Sequence, residues 1–309
     1  MSALGQQLKW EQRFRHWLKR ATGAEPIIAE ADLHTAGLPE FKAYVESIDR
    51  FNASQQNAGL LDSIRAYNHQ IIGEFNKICP LAGMALLDIG ASPHSYAMEK
   101  CFALGVHRYM GIGLDIDAAE DVRFGDVDGS LRYMNAQDLT FADGSFDLVV
   151  SMSTFEHIAD VPKALAEIHR VLRPGGAVLL SFEPLWTCAY GHHLHHFEPV
   201  SHLVPDWAHL LWDRQQMRAY LENKWPDDAP LDLDRTIEWI YDNEVINRIG
   251  ITQMREHFEQ CPLRVEWILP MKHEGSDSAM LAQAMAATGL SSVDLSSKGL
   301  SVLLYKDVC

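Results

Sequence analysis

Phe146-Asp147-Leu148-Val149-Val150-Ser151-Met152 is the stretch whose reading decides the fold, together with its immediate sequel: Asp160 and Pro162, then Leu165, Ile168, Val171 and Leu172 on one helical face, then Pro174-Gly175-Gly176 and the apolar run 177–182. A short apolar run with β-branched residues and little alternation reads as a strand buried on both faces. The next segment has helical spacing, with Asp160 as N-cap, Pro162 in the first turn and Pro-Gly-Gly as the stop. Strand, helix and strand in that order make a βαβ unit, and hence a parallel sheet.

The same texture extends outward. Strands are expected at 84–89, 108–114, 131–134, 146–152 and 177–182, and two more at 263–269 and 299–306, with helical segments at 252–260 and 277–287. Residues 1–80 read as helical, with segments at 8–20, 39–50 and 57–78. Between 183 and 249 the alternation breaks, which marks an insertion.

Composition narrows the function. The 309 residues are 47% apolar and 22% charged, ordinary globular values that exclude disorder of the whole chain. Lys and Arg number 26 against 42 Asp and Glu, a net charge of −16, which argues against a nucleic-acid partner and for a small molecule. Five scattered cysteines without a CxxC pair point to a reduced, cytoplasmic setting. No apolar run is long enough to span a bilayer. In 8–20 the rings of Trp10, Phe14 and Trp17 form a stripe beside basic residues. Such a helix can cap the domain, form a homodimer face, lie on a membrane or serve as a transit peptide.

Two strand ends carry ligand-binding signals. Leu86-Leu87-Asp88-Ile89-Gly90-Ala91-Ser92-Pro93-His94 is an apolar strand that ends in an acid and enters a small-residue turn. There a backbone can approach a ligand closely. The second strand ends in Gly113-Leu114-Asp115, where a carboxylate can accept from both hydroxyls of one ribose. A phosphate-binding P-loop motif is absent, and the dinucleotide fingerprint lacks its second and third glycines.

Taken in order, these stretches resemble the class I S-adenosylmethionine-dependent methyltransferases, in particular the small-molecule, type 11-like branch. Asp88-Ile89-Gly90 resembles the start of the family's glycine-rich loop, Gly113-Leu114-Asp115 its ribose-binding strand end, and Asn135-Ala136-Gln137-Asp138-Leu139 its adenine-reading segment. Residues 143–151, Glu156-His157 and 167–176 resemble the fourth strand, its sequel and the helix and turn before the fifth. Ser92 and His94 stand where the family usually has its second and third loop glycines, so this loop has its own shape.

The resemblance implies an α/β fold with a Rossmann-like, seven-stranded, mainly parallel sheet and helices on both faces. An N-terminal helical cap would occupy 1–80, and the methyltransferase domain 81–309, with a helical lid at about 183–249. It implies S-adenosyl-L-methionine as cofactor, held by Asp88, Gly90, Ala91, Ser92, Asp115, Ile116, Asn135, Ala136 and Ser151.

In such a fold the acceptor sits over the carboxyl ends of the strands, and 183–249 is placed to cover it. This insertion is rich in rings and holds Gly191-His192-His193-Leu194-His195-His196. Three roles are open for these histidines: a metal site with Glu198, a base or acceptor-orienting group, and structural bonding of the loop. The candidate acceptor-side residues are His193, His196 and His157, with Trp186, Tyr190, His192 and His195 lining the pocket; no metal ligand is assigned. Glu156 reads mainly as support for the fold. Oxygen, nitrogen and sulfur acceptors all stay open, with a lean to a thioether or amine metabolite. The alternatives are a cofactor-binding protein without turnover and a macromolecule methyltransferase.

Overall fold

Parallel pairing dominates the sheet in the computed structural model, which describes residues 58–91, 96–124, 127–194, 200, 202–227, 229, 231–242, 244–273 and 278–308. The segments expected at 8–20 and 39–50, and Ser92, His94, His195, His196 and Glu198, lie outside the described residues.

Two compact units are distinguished. The first contains α1 (Ala58–Ile78) and α2 (Tyr96–Ala103). Helical spacing buries Ile71, Ile72 and Phe75 of α1 and Ala97, Met98, Cys101 and Phe102 of α2. Glu99 accepts from Arg65 at 2.6 Å and lies 3.3 Å from His69, and these partners hold its carboxyl below the usual range against the opposing effect of burial.

The second unit carries the whole sheet, in the order β3-β4-β2-β1-β5-β6-β8-β7. Its strands are β1 (Ala85–Ile89), β2 (Arg108–Gly113), β3 (Glu120–Phe124), β4 (Val127–Tyr133), β5 (Phe146–Met152), β6 (Leu172–Phe182), β7 (Arg264–Lys272) and β8 (Ser297–Tyr305). β4, β2, β1, β5 and β6 run parallel, whereas β3, β8 and β7 each pair antiparallel with a neighbour. The α/β class is therefore as expected, but the sheet has eight strands rather than seven.

The additional strand is β3, an edge strand. Its sequence, Glu-Asp-Val-Arg-Phe, is too short and too charged to announce a strand, and its ladder with β4 is joined by Asp121, which accepts from Arg132 at 2.6 Å and Ser130 at 2.8 Å.

Between β5 and β6 runs α3 (Val161–Val171). Asp160 caps it by accepting from the Lys163 N–H at 3.0 Å, and Pro162 stands in its first turn. At its other end Lys306 donates to the carbonyls of His169 and Leu172, at 2.7 and 2.8 Å. β6 begins at Leu172, earlier than expected, because Pro174-Gly175-Gly176 forms an irregularity within the strand: pairing with β5 passes from Phe146↔Leu172 to Leu148↔Ala177. The main core joins Leu87, Val149, Leu165, Ile168, Val178 and Val302.

The insertion builds its own core. α4 (Ala208–Leu211), α5 (Arg214–Leu221) and α6 (Leu233–Asp242) gather Leu194, Met217, Leu221, Ile237 and Ile240, with Trp212, Tyr220, Trp225, Trp239 and Tyr241 packed against them. Most of its rings are thus used as packing area. The remaining helices are α7 (Ile251–Gln260), α8 (Ser278–Thr288) and α9 (Ser292–Ser296). Among the described residues no helix is long and apolar enough to cross a membrane.

Candidate functional site

Parallel strands place their carboxyl ends along one edge of the sheet, so the segments after β1, β2, β4 and β5 are neighbours there. In the first, Asp88 is buried and accepts from the Tyr109 hydroxyl at 2.5 Å. Burial pushes its carboxyl up to about 6, with the Tyr109 bond opposing. Gly90 has φ +86°, and a Cβ there would meet Oγ1 of Thr154 at 1.8 Å. Only glycine lets this turn lie on the segment after β5. The N–H groups of Gly90 and Ala91 donate to Ile112 O at 2.7 and 3.0 Å, which holds the turn against β2.

At the end of β2, a Cβ on Gly113 would meet Asp115 Oδ1 at 2.7 Å and Ala91 O at 2.9 Å. The Asp115 carboxylate thus turns back beside the β1 loop, while Asp115 itself is exposed and Ile116 is buried. Gly113 pairs with Tyr133 of β4. Leu114 is 61% exposed and Tyr133 67%, so two large apolar side chains stay open to water at adjoining strand ends.

After β4, the Asn135 amide oxygen accepts from Gln137 N at 2.9 Å and Gln137 Nε2 at 3.2 Å, so it holds its own turn. Ala136 is buried, and Gln137 Oε1 accepts from the Asp160 N–H at 2.6 Å, tying the loop to the start of α3. Glu167 and Arg170 brace the rest. Glu167 accepts from Leu139 N at 2.8 Å, and Arg170 donates to Leu139 O, Phe141 O and the Asp143 carboxylate at 2.7, 2.7 and 2.9 Å. The two side chains also pair with each other, and Arg170 holds the Glu167 carboxyl below its usual range. Ser151 donates to Ile89 O at 2.8 Å and so stitches β5 to β1.

The segment after β5 forms a short 3-10 turn, Phe155–His157. Asn247, from the far end of the insertion, clamps it: its N–H donates to Glu156 O at 2.9 Å, and its side-chain amide donates to Phe155 O at 2.8 Å and Ile158 O at 3.0 Å. His157 Nδ1 lies 3.2 Å from Val245 O; a carbonyl only accepts, so Nδ1 carries the proton. Burial lowers the His157 pKa and pushes the Glu156 carboxyl well above its ordinary range.

Among the sequence-predicted acceptor-side residues, His157 and His193 come together, with ring centroids 5.2 Å apart. His193 is buried, has φ +60°, and its Nδ1 lies 2.7 Å from Gly191 O. Trp186 and His192 gather instead around His209, at ring separations of 4.8 and 5.4 Å. His209 donates through Nε2 to Trp186 O at 2.8 Å, and burial drops its pKa to about 4. Tyr190 belongs to a different cluster, packed with Trp207, Ala284 and Leu295 and 5.1 Å from the His273 ring. Sequence reasoning passes over Thr154 and Asn247. Neither has a local signal, since each acts on a partner that only folding brings near.

A family described as a methyltransferase domain matches residues 87–180. The chain is 36% identical to an uncharacterized methyltransferase of Mycobacterium avium over 115 residues, which are 36% of this chain and 44% of that one. It is 31% identical to phosphoethanolamine N-methyltransferase 2 of Caenorhabditis elegans over 121 residues, 37% of this chain and 26% of that one. The matched part thus spans less than half the length of these curated relatives. A solved S-adenosylmethionine-dependent methyltransferase from Mesorhizobium loti is 15% identical, covering 73% of this chain and 92% of that one at a TM-score of 0.43. The matched segment runs from Leu87 in β1 to Leu180 near the end of β6, and so contains the carboxyl ends of β1, β2, β4 and β5 described above. Residues 87–180 thus carry a methyltransferase domain of the type 11 family.

Proposed function

We propose that the protein transfers a methyl group from S-adenosyl-L-methionine to a small-molecule acceptor through an oxygen, nitrogen or sulfur nucleophile. The observation that carries this reading is the Asp115 carboxylate turned back onto the β1 loop, beside the exposed Leu114 and Tyr133. A ribose needs an acceptor pair of that kind, and an adenine face needs apolar surface next to it. The residues present fit the cofactor.

Bound there, the cofactor supplies a methyl group already activated on a sulfonium. Asp115 accepts from the ribose hydroxyls, and the Gly90-Ala91 backbone lies against the rest of the nucleoside. Leu114 and Tyr133 cover apolar surface, while the braced segment from Asn135 to Asp143 flanks the base. The Asn135 amide oxygen is engaged by Gln137, so recognition at this edge falls more to backbone groups near Ala136. Asp88 and Ser151 hold the loop and strand in place from behind.

The remaining task is alignment and exclusion of water, which suits an insertion with its own core. Residues 183–249 act as the lid on a domain spanning 81–309, with 1–80 as an N-terminal cap that also offers a dimer face. His157 and His193, with His196, orient the acceptor or take its proton. A small acceptor is supported by the net charge of −16, which suits no polyanion. The five scattered cysteines, without a CxxC pair, suit a cytoplasmic setting.

Isothermal titration with S-adenosylmethionine is the direct test, followed by methyl-labelled cofactor and a metabolite extract. One-to-one binding and label in a small product are expected. Absence of binding to both S-adenosylmethionine and S-adenosylhomocysteine overturns the reading.

A further inference from the structure

Glu156, His157 and His193 offer one donor atom each, and the three atoms lie within 4.8 Å of one another. From this geometry we propose that they form a binding site for a first-row divalent transition ion of the zinc class, at the carboxyl end of β5. Two imidazoles and one carboxylate are a donor set that such ions take, and three protein ligands leave coordination open for an oxygen from solvent or substrate.

Three observations carry the site. The first is the tautomer of each histidine. Nδ1 of His157 faces Val245 O at 3.2 Å and Nδ1 of His193 faces Gly191 O at 2.7 Å. A carbonyl cannot donate, so both rings hold their proton on Nδ1 and present a lone pair on Nε2. Metal-bound histidines are oriented in this way, by a backbone carbonyl on the far nitrogen.

The second observation is Glu156, which is 1% exposed and has no hydrogen-bond partner among the described residues on either carboxylate oxygen. A buried acid in that condition calls for a counter-charge. Lys298 does not supply it, being engaged with Glu183 at 2.7 Å. The third is the rigidity of the frame. Asn247 fixes the carbonyls of Phe155, Glu156 and Ile158, and His193 sits in a left-handed conformation at φ +60° within a buried turn.

Ligands about 2.0–2.1 Å from a tetrahedral ion stand roughly 3.3 Å apart, so side-chain rotations of about 1 Å close the site. With an ion in place, the two imidazoles are ligands rather than bases. The proposal stands on these three side chains and is independent of whether the domain transfers methyl groups.

The test uses the full chain, freed of metal by a chelator. Dialysis against Zn2+ should leave one tightly held ion per chain, and Co2+ should give the visible absorption of a tetrahedral nitrogen and oxygen site. His193→Ala and Glu156→Gln should each weaken Zn2+ binding at least tenfold, whereas His202→Ala, an exposed histidine outside the triad, should not. Glu156→Gln keeps the shape and places a neutral amide where burial already disfavours a charged carboxylate, so it should stay folded, and its melting temperature should no longer rise on adding Zn2+. Failure of the wild-type chain to retain stoichiometric Zn2+ or Co2+ overturns the proposal whatever the variants do. So does retention of full affinity in folded Glu156→Gln. Titration with S-adenosylhomocysteine reports separately on the methyl-transfer reading.

Discussion

The loops at the carboxyl ends of β1 to β5 and the insertion at 183–249 solve the same problem in opposite ways. In the loops after β4, the main polar anchors are charged and partly open to water. Glu167 and Arg170, one turn apart on α3, brace residues 139–143 through four hydrogen bonds and pair with each other. In the insertion several polar anchors are imidazole rings buried among other rings. His192, His193 and His209 are all under 7% exposed, and the last two each bond one carbonyl of their own loop region. The difference teaches where pH and substitution will act: the loops depend on close approach of backbone, the insertion on keeping the buried His209 imidazole uncharged.

Gly90→Ala probes the loop side hardest. The new Cβ would collide with Thr154 and force a positive φ on alanine, so a loss of about 4 kcal/mol is expected in urea unfolding. A loss under about 1 kcal/mol would mean that the loop yields, and the contrast with the insertion would blur.

On the insertion side, His209 is the sharpest probe. Its pKa of about 4 in the fold, against 6.5 when unfolded, means that the unfolded chain binds more protons between those values. Stability should therefore fall by about 3 kcal/mol as pH drops from 6.5 to 4. Tryptophan fluorescence melts of wild type and His209→Gln, compared across that range, should show the slope shrinking in the variant.

Asp88 gives the loop side an effect of opposite sign. A carboxyl held at about 6 rather than 3.8 binds its proton more tightly in the fold. Its contribution is lost as pH rises from about 4 to 6, by roughly 3 kcal/mol at most. Asp88→Asn keeps an acceptor for Tyr109 and should flatten that part of the profile; an unchanged profile would remove Asp88 as its source. Asp115→Ala should weaken cofactor binding by about 1–3 kcal/mol with little change in melting temperature, as titration calorimetry would read. At the small end, Asp242→Asn breaks the exposed pair with Arg214, and the melting temperature should not move measurably.

Legibility in the sequence follows the range of the interactions. β5 is readable at 146–152, the span it occupies, because a run buried on both faces leaves an uninterrupted apolar signature. α3 is readable from its cap, proline and stop, all local. β3 is not, since an edge strand paired on one side needs no apolar pattern. Leu172 enters β6 before Pro-Gly-Gly because pairing with β5 outweighs the breaker, a tertiary effect.

Among site residues, Asp88, Gly90 and Asp115 stand at strand ends that periodicity alone locates. Glu156 reads as a support for the fold because its neighbours in sequence say nothing of its burial. Its surroundings come from Asn247 and His193, 91 and 37 positions away by residue number. The sequence by itself determined a parallel α/β sheet and the loops here proposed to address a nucleoside, since those rest on periodicity, caps and turns within a few residues. Tertiary structure alone decided which histidines meet, which nitrogen of each holds its proton, and that a buried acid lies beside them with no hydrogen bond to its carboxylate among the described residues. Those features depend on carbonyls and rings contributed by distant segments, whose positions exist only once the insertion has packed.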